Sequence, residues 1–283
     1  VQPADRSAPR TQRRRGAPVE RSRTGVPAPL WMPAAMALAL LVLPVLGLLT
    51  RIELSRLPEL VTAPAALDAL ELSLRTSLAA TVLSLLLGAP LAVVLARSRL
   101  RGLRVLRAAV LLPLVLPPVV GGLALLYLLG RTGPLGRLLE DAFGVTVPYT
   151  SAAVVLAQTF VAMPFLVVGL EGALRTSGAR YERVAATLGA GPWLTFRRVT
   201  VPLLVPALGS SLVLTFARAL GEFGATITFA GSLRGTTRTL PLAIYTTAQS
   251  DVDAAVAMSL LLVVIALLVI ALVGPKAVEG RGD

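Results

Sequence analysis

Cysteine and histidine are both absent from the 283-residue chain. Their absence excludes a disulfide scaffold, a thiolate or imidazole metal site, and any catalytic triad built on either residue. Lysine is nearly missing as well, with Lys276 the single example. Only 15% of residues are charged, against about 25% in soluble domains. No G-x-x-x-x-G-K-[ST] phosphate loop occurs, so ATP hydrolysis by that route is excluded. No stretch alternates in the manner of a membrane barrel strand.

What is present is hydrocarbon in long blocks. Hydrophobic residues make up 55% of the chain, and the mean hydropathy is +0.78. Crossing a ~30 Å hydrocarbon core takes about 20 apolar residues. Six stretches qualify, at 30–50, 72–96, 108–130, 151–174, 201–229 and 254–273. Backbone polar groups in lipid must be satisfied within the segment, which predicts helices and an all-α membrane protein. None of the six carries the Ser with Lys, or the paired Asp, that an intramembrane protease would need.

The net charge of +12 is almost all arginine. In a soluble protein that excess would suggest nucleic acid, but position argues otherwise. The leader (1–29), the turn with Arg97, Arg99, Arg101, Arg104 and Arg107, and the segment with Arg175, Arg180, Arg183, Arg197 and Arg198 are strongly basic. The other three connections are nearly balanced. With six spans the basic segments fall on one side, and the positive-inside rule places them and both termini in the cytoplasm. No nucleic-acid partner is expected. The leader reads as a disordered, topology-anchoring tail, residues 30–273 as the membrane domain, and 274–283 as a short cytoplasmic tail. The first span reads as retained, because no A-x-A cleavage site directly follows it.

One cytoplasmic segment is amphipathic. Residues 181–199 predict a short helix, a break at Gly189 and Gly191-Pro192, and a second helix leading to Pro202. Two readings fit: a hairpin lying on the lipid surface, or a knob that docks in a partner's groove.

The fifth span holds two charges, Arg218 and Glu222, four residues apart and so on one helix face. Intramembrane charges face a partner or a wet cavity. They form either a structural ion pair or a gate element. As one helix the stretch would extend about 43 Å at 1.5 Å per residue. A break near Gly221 and Gly224 is therefore expected, with Phe223 a candidate plug. The hydroxyls of Ser210, Ser211, Thr215, Thr226 and Thr228 are expected to bond back to their own helix. Arg75, Arg131, Arg137, Arg234 and Arg238 are placed at the outer face. Repeated Pro-x-x-x-Pro runs (Pro113 to Pro117, Pro202 to Pro206) give a faint echo between spans three and five.

The run from Ala185 to Gly189, then nine residues and Val199-Thr-Val-Pro202, resembles the cytoplasmic signature of binding-protein-dependent ABC importer permeases. That signature has Glu-Ala-Ala, three residues, Gly, nine residues and Ile-x-Leu-Pro. Arg183 stands at the acid's position and Val184 at the first Ala, with Glu182 one place earlier. The resemblance covers about 72–273 and implies a type I importer permease fold. It implies ATPase coupling through a segment at 178–199, with Glu182, Arg183, Ala185, Ala186, Gly189, Ala190 and Pro202 as its residues. Arg218, Glu222, Phe223, Gly224 and Thr226 become candidate gate residues. The runs "ALGEFGATITF" and "TRTLPLAIY" resemble the molybdate branch, while sulfate permeases carry Tyr and Ser where Phe223 and Ala225 stand. That likeness implies import of molybdate or tungstate, the alternatives being a sulfate or thiosulfate permease and a self-contained secondary transporter or channel. Implied partners are two ABC ATPase subunits, an extracytoplasmic binding protein, a second copy of the chain and the plasma-membrane bilayer. No cofactor is expected on this chain, with ATP and Mg held by the ATPase.

Overall fold

The computed structural model describes residues 27–51, 53, 55–98, 101–176 and 180–279. Most of the leader (1–26) and the end of the tail (280–283) lie outside the described residues. The chain divides into two compact units, Val1–Leu46 and Gly47–Asp283. In the first, after a 3-10 turn at Ala28–Leu30, lies most of α1 (Trp31–Leu49), an apolar helix of 19 residues.

The second unit is an all-helical bundle. Its elements are α2 (Leu57–Val61), α3 (Pro64–Arg97), α4 (Leu103–Val115), α5 (Pro118–Leu129), α6 (Pro134–Phe143) and α7 (Ser151–Thr176), then α8 (Arg180–Thr187), α9 (Pro192–Thr195), α10 (Val201–Leu220), α11 (Gly224–Phe229), α12 (Leu240–Thr247) and α13 (Val252–Glu279). No strand occurs among the described residues.

The core is built on small side chains. Ser73, Ser77, Ala80, Ser84, Gly88 and Ala92 recur at three- and four-residue spacing on α3 and are buried. Such a stripe lets two backbones approach closely where lipid gives no hydrophobic incentive to pack. A Cβ on Gly88 would come within 3.2 Å of Met163, Leu166 and Val167 of α7. Ala80, Ala162 and Ala219 meet where α3, α7 and α10 converge.

Two sets of bonds define the ends of this unit. At one end Arg97 pairs with Glu182 and Arg107 with Glu171, both at 2.8 Å. At the other, Arg234 pairs with Asp68 at 3.1 Å, and Ser151 donates to the Thr236 carbonyl at 2.7 Å. The two basic turns predicted to share a side therefore do share one, called here the elbow side.

The predicted third span is not one straight helix. It breaks at Leu116-Pro117, where the path bends by 114° from α4 to α5. Pro117 and Pro118 remove two backbone donors in succession, and each forces the residue before it out of helical conformation. Leu116 and Pro117 are accordingly extended, with ψ of 136° and 133°. Among the described residues, five helices are long and apolar enough to cross a membrane, six if the bent pair counts as one span. The proline echo fails for the same reason: Pro206 sits inside an unbroken α10.

Candidate functional site

The amphipathic segment forms the elbow that the sequence predicts. Helix α8 ends in a left-handed Gly189 at φ +82°. Gly189 N–H donates to the Ala186 carbonyl and Ala190 N–H to the Ala185 carbonyl, both at 3.0 Å. This pair of bonds is the Schellman C-cap, which satisfies carbonyls a helix end would otherwise leave orphaned. Helix α9 then starts with Pro192 at its first position. It runs without interruption into a π turn at Phe196–Thr200 and on into α10. The wider turn accommodates Pro202, which lacks an N–H and would crowd a tighter helix.

Glu182 is the joint of the elbow. Its Oε1 accepts from Arg97 Nη2 at 2.8 Å and from Thr200 Oγ1 at 2.9 Å. One carboxylate thus ties α8 to the end of α3 and to the start of the α10 rod. Arg183, at the position where the signature has its acid, is exposed instead. The acid's place has shifted by one residue, and the carboxylate is engaged at the shifted place. A second joint lies beside it, where Glu171 Oε1 accepts from Arg107 at 2.8 Å and from Arg175 at 3.0 Å. Sequence reasoning counted Arg97 only among the basic-turn residues, and assigned no role to Thr200 or Glu171. Opposite charges on two turns of the same side were the available signal, without a spacing to pair them. Beyond the joint the elbow presents apolar side chains outward, with Leu188 82% and Trp193 72% exposed. Ala185 is half-buried, while Ala186 is exposed.

The fifth span breaks where the glycines predicted. Helix α10 stops at Leu220, and α11 restarts at Gly224. Glu222 is 1% exposed. Its Oε2 pairs with Arg218 at 2.6 Å, and its Oε1 accepts the Ala225 N–H at 2.8 Å. The buried carboxylate therefore holds both sides of the break, with one oxygen on each helix. Phe223, half-buried, packs on Tyr245 of α12 with ring centroids 5.0 Å apart.

Around the break the packing is tight. A Cβ on Gly224 would lie 2.7 Å from the Pro118 side chain, and one on Gly122 would lie 2.6 Å from the Ala225 carbonyl. The bent α5 thus seats directly on α11. Ser210, Thr215 and Thr228 bond back to carbonyls of their own helices, as expected. Thr226 is fully buried, and its hydroxyl has no partner. Gln158 of α7 is likewise buried, with neither end of its amide bonded. Gln158 escaped the sequence reading because a single amide inside an apolar span has no spacing that marks it.

The Thr-Arg-Thr-Leu-Pro run is a latch in this geometry. Thr237 Oγ1 accepts the Leu233 N–H at 2.9 Å, and Arg238 donates to Ser232. The Leu240 N–H reaches Ser73 Oγ on α3 at 2.6 Å. Of the other arginines placed at that face, Arg75, Arg131 and Arg234 pair with Glu71, Glu140 and Asp68. Arg137 is exposed and has no ion pair among the described residues.

Both sites lie within the stretch that matches a known family. Residues 84–277 match the model of the family described as binding-protein-dependent transport system inner membrane component. The molybdenum transport system permease protein ModB of Mycobacterium tuberculosis is 55% identical over 91% of this chain and 97% of its own length. The Escherichia coli protein of the same name is 42% identical over 72% of this chain and 90% of its own. Among solved structures, a bacterial ABC transporter importing the acidic polysaccharide alginate aligns with a TM-score of 0.65 at 19% identity, covering 89% of this chain and 96% of that one. The inward-facing MetNI methionine ABC transporter aligns at 0.61 and 17%, covering 77% and 96%. At those identities the structures speak to the fold, which is that of a type I importer permease.

Proposed function

The chain belongs to the family of binding-protein-dependent transport system inner membrane components, and from that membership we propose that it is the subunit through which an ATP-driven importer moves molybdate. It is a multi-pass plasma-membrane protein and a non-catalytic transport subunit. A separate ATPase supplies the energy, and a binding protein delivers the cargo. The observation that carries the molybdate reading is the 55% identity to the mycobacterial permease over nearly its whole length.

The elbow faces the cytoplasm and receives the ATPase on its tip at Leu188, away from the Trp193 side. Movement there passes through Glu182 into two helices at once, by way of Arg97 into α3 and Thr200 into α10. Helix α10 has 20 residues, about 30 Å at 1.5 Å per residue. At its far end lies the break at 221–223. Arg218, Glu222, Phe223, Gly224 and Thr226 form the gate: a push along α10 shifts Phe223 relative to Tyr245, while the glycines absorb the change in backbone angle. Two copies face each other across the path, each with its own ATPase subunit.

The test is uptake of radiolabelled molybdate by proteoliposomes holding this chain, its ATPase and its binding protein. Uptake should require ATP and should be outcompeted by tungstate but not by equal sulfate. Nucleotide-independent uptake would sink the importer reading, and equal competition by sulfate would sink the choice of ion. A Phe223→Cys chain, with no other cysteine to interfere, should crosslink to its second copy in at least one nucleotide state. Failure in every state would remove the facing arrangement.

A further inference from the structure

Between α3, α7 and α10, on the elbow side, lies a groove of about 450 Å³. That volume is in the range of about 300–1,000 Å³ typical of small-molecule sites. Leu85, Val93, Leu174, Trp193, Phe196 and Leu204 are among its walls, which are almost wholly apolar. Such a space offers water no hydrogen-bond partners, and hydrocarbon is the filling it suits. Its walls on α3 extend from Leu85 to Val93, about 12 Å at 1.5 Å per residue. One leaflet of a ~30 Å core is only slightly deeper than that.

The rim of the groove is cationic. Arg197 and Arg198 sit on the π turn, between the groove residues Phe196 and Val201. Both are exposed, and neither has an ion pair among the described residues. Of the other described arginines of this end, Arg97, Arg107 and Arg175 are each committed to a carboxylate, while Arg101, Arg104, Arg180 and Arg183 have no ion pair among the described residues but do not lie on the turn between two groove residues. Two uncommitted guanidiniums beside an apolar slot one leaflet deep match a molecule with an anionic head and a hydrocarbon tail. Arginine binds phosphate oxygens through paired N–H donors, and basic residues next to a span are attracted to acidic lipid.

We propose that this groove is a binding site for an anionic phospholipid of the elbow-side leaflet, with one acyl chain entering past Trp193 and Phe196 at the mouth to lie along Leu85, Leu204 and Leu208, and the phosphate held by Arg197 and Arg198. The site sits on the elbow itself. Lipid bound there braces the π turn that joins α9 to α10, and so couples bilayer composition to the rod that leads to the break.

Trp193 supplies the probe, because the chain has only two tryptophans. In a Trp31→Phe chain, reconstituted at full length into phosphatidylcholine nanodiscs, Trp193 is the sole tryptophan. A minor fraction of acyl-brominated phosphatidylglycerol should quench its emission several-fold more than the same fraction of acyl-brominated phosphatidylcholine. Replacing Arg197 and Arg198 by Gln should erase that preference. An Ala89→Phe change, which fills the groove from the α3 wall, should reduce quenching by either lipid. Equal quenching by the two lipids in the Trp31→Phe chain would reduce the contact to ordinary bilayer surroundings and overturn the site. Protection of Trp193 from both would show a protein surface covering the groove, and would overturn it too. If Ala89→Phe fails to fold, the Arg197→Gln, Arg198→Gln chain, altered only at exposed positions, still decides the matter.

Discussion

At the scale of single residues, two carboxylates each join separate helices. Glu182 bonds Arg97 and Thr200 with the same oxygen, and Glu222 uses one oxygen on each side of a helix break. The Arg97 and Glu182 side chains are 28% and 22% exposed, so solvent screens the pair only in part. Hydrogen bonds to charged groups contribute about 1.5–3 kcal/mol. Glu182→Ala should therefore lower ATP-driven uptake while ATPase activity continues, because the lever still turns but is no longer fastened to α3. Unchanged uptake per ATP hydrolysed would remove the joint from the mechanism. Glu222 is the more costly position. Breaking one partner of a buried pair costs about 3–5 kcal/mol, whereas replacing both with neutral groups costs far less. Glu222→Ala should lower the unfolding temperature in detergent, and adding Arg218→Gln should recover part of the loss. If the double substitution is no more stable than Glu222→Ala, the two side chains do not act as a pair.

At the scale of elements, the elbow turns on Gly189. A Cβ there meets nothing within 4 Å, but the residue's φ of +82° is strained for any side chain. Left-handed geometry costs an L-residue roughly 1–2 kcal/mol. Gly189→Ala pays only this backbone term, while Gly189→Arg adds bulk and charge to the docking tip. Both chains should insert in the membrane. Gly189→Ala should keep measurable coupled uptake and Gly189→Arg should have none. Equal behaviour would mean that the turn's geometry matters and its fit to the ATPase does not. The α4–α5 bend is the complementary case. Its cause, Pro117-Pro118, is visible in the sequence, yet a span of the right length and composition conceals it. Hydropathy counts apolar residues and is blind to direction.

At the scale of the whole molecule, the helical class, the basic turns sharing one side, the elbow and the break at Glu222 were all legible in the amino-acid sequence. Length, charge and glycine spacing are local properties, and they sufficed for these. What escaped were pairings between distant positions. Arg97 and Glu182 are 85 residues apart, and Ser73 meets Leu240 across 167. Nothing in either partner's neighbourhood names the other. Orientation in the membrane has its own test. A Leu188→Cys chain, otherwise free of thiols, should react with a membrane-impermeant maleimide in inverted vesicles and not in intact cells. Reaction in intact cells would turn the molecule over. The one-residue displacement of the signature acid has a wider consequence. Here Arg97 reaches its carboxylate one place before the signature's acidic column, so the fastening exists in a chain whose column holds a base. Surveys that score this motif by a fixed acidic column will discard chains in which the fastening is intact, and should instead ask whether any acid in that first turn faces a base at the end of the second long span.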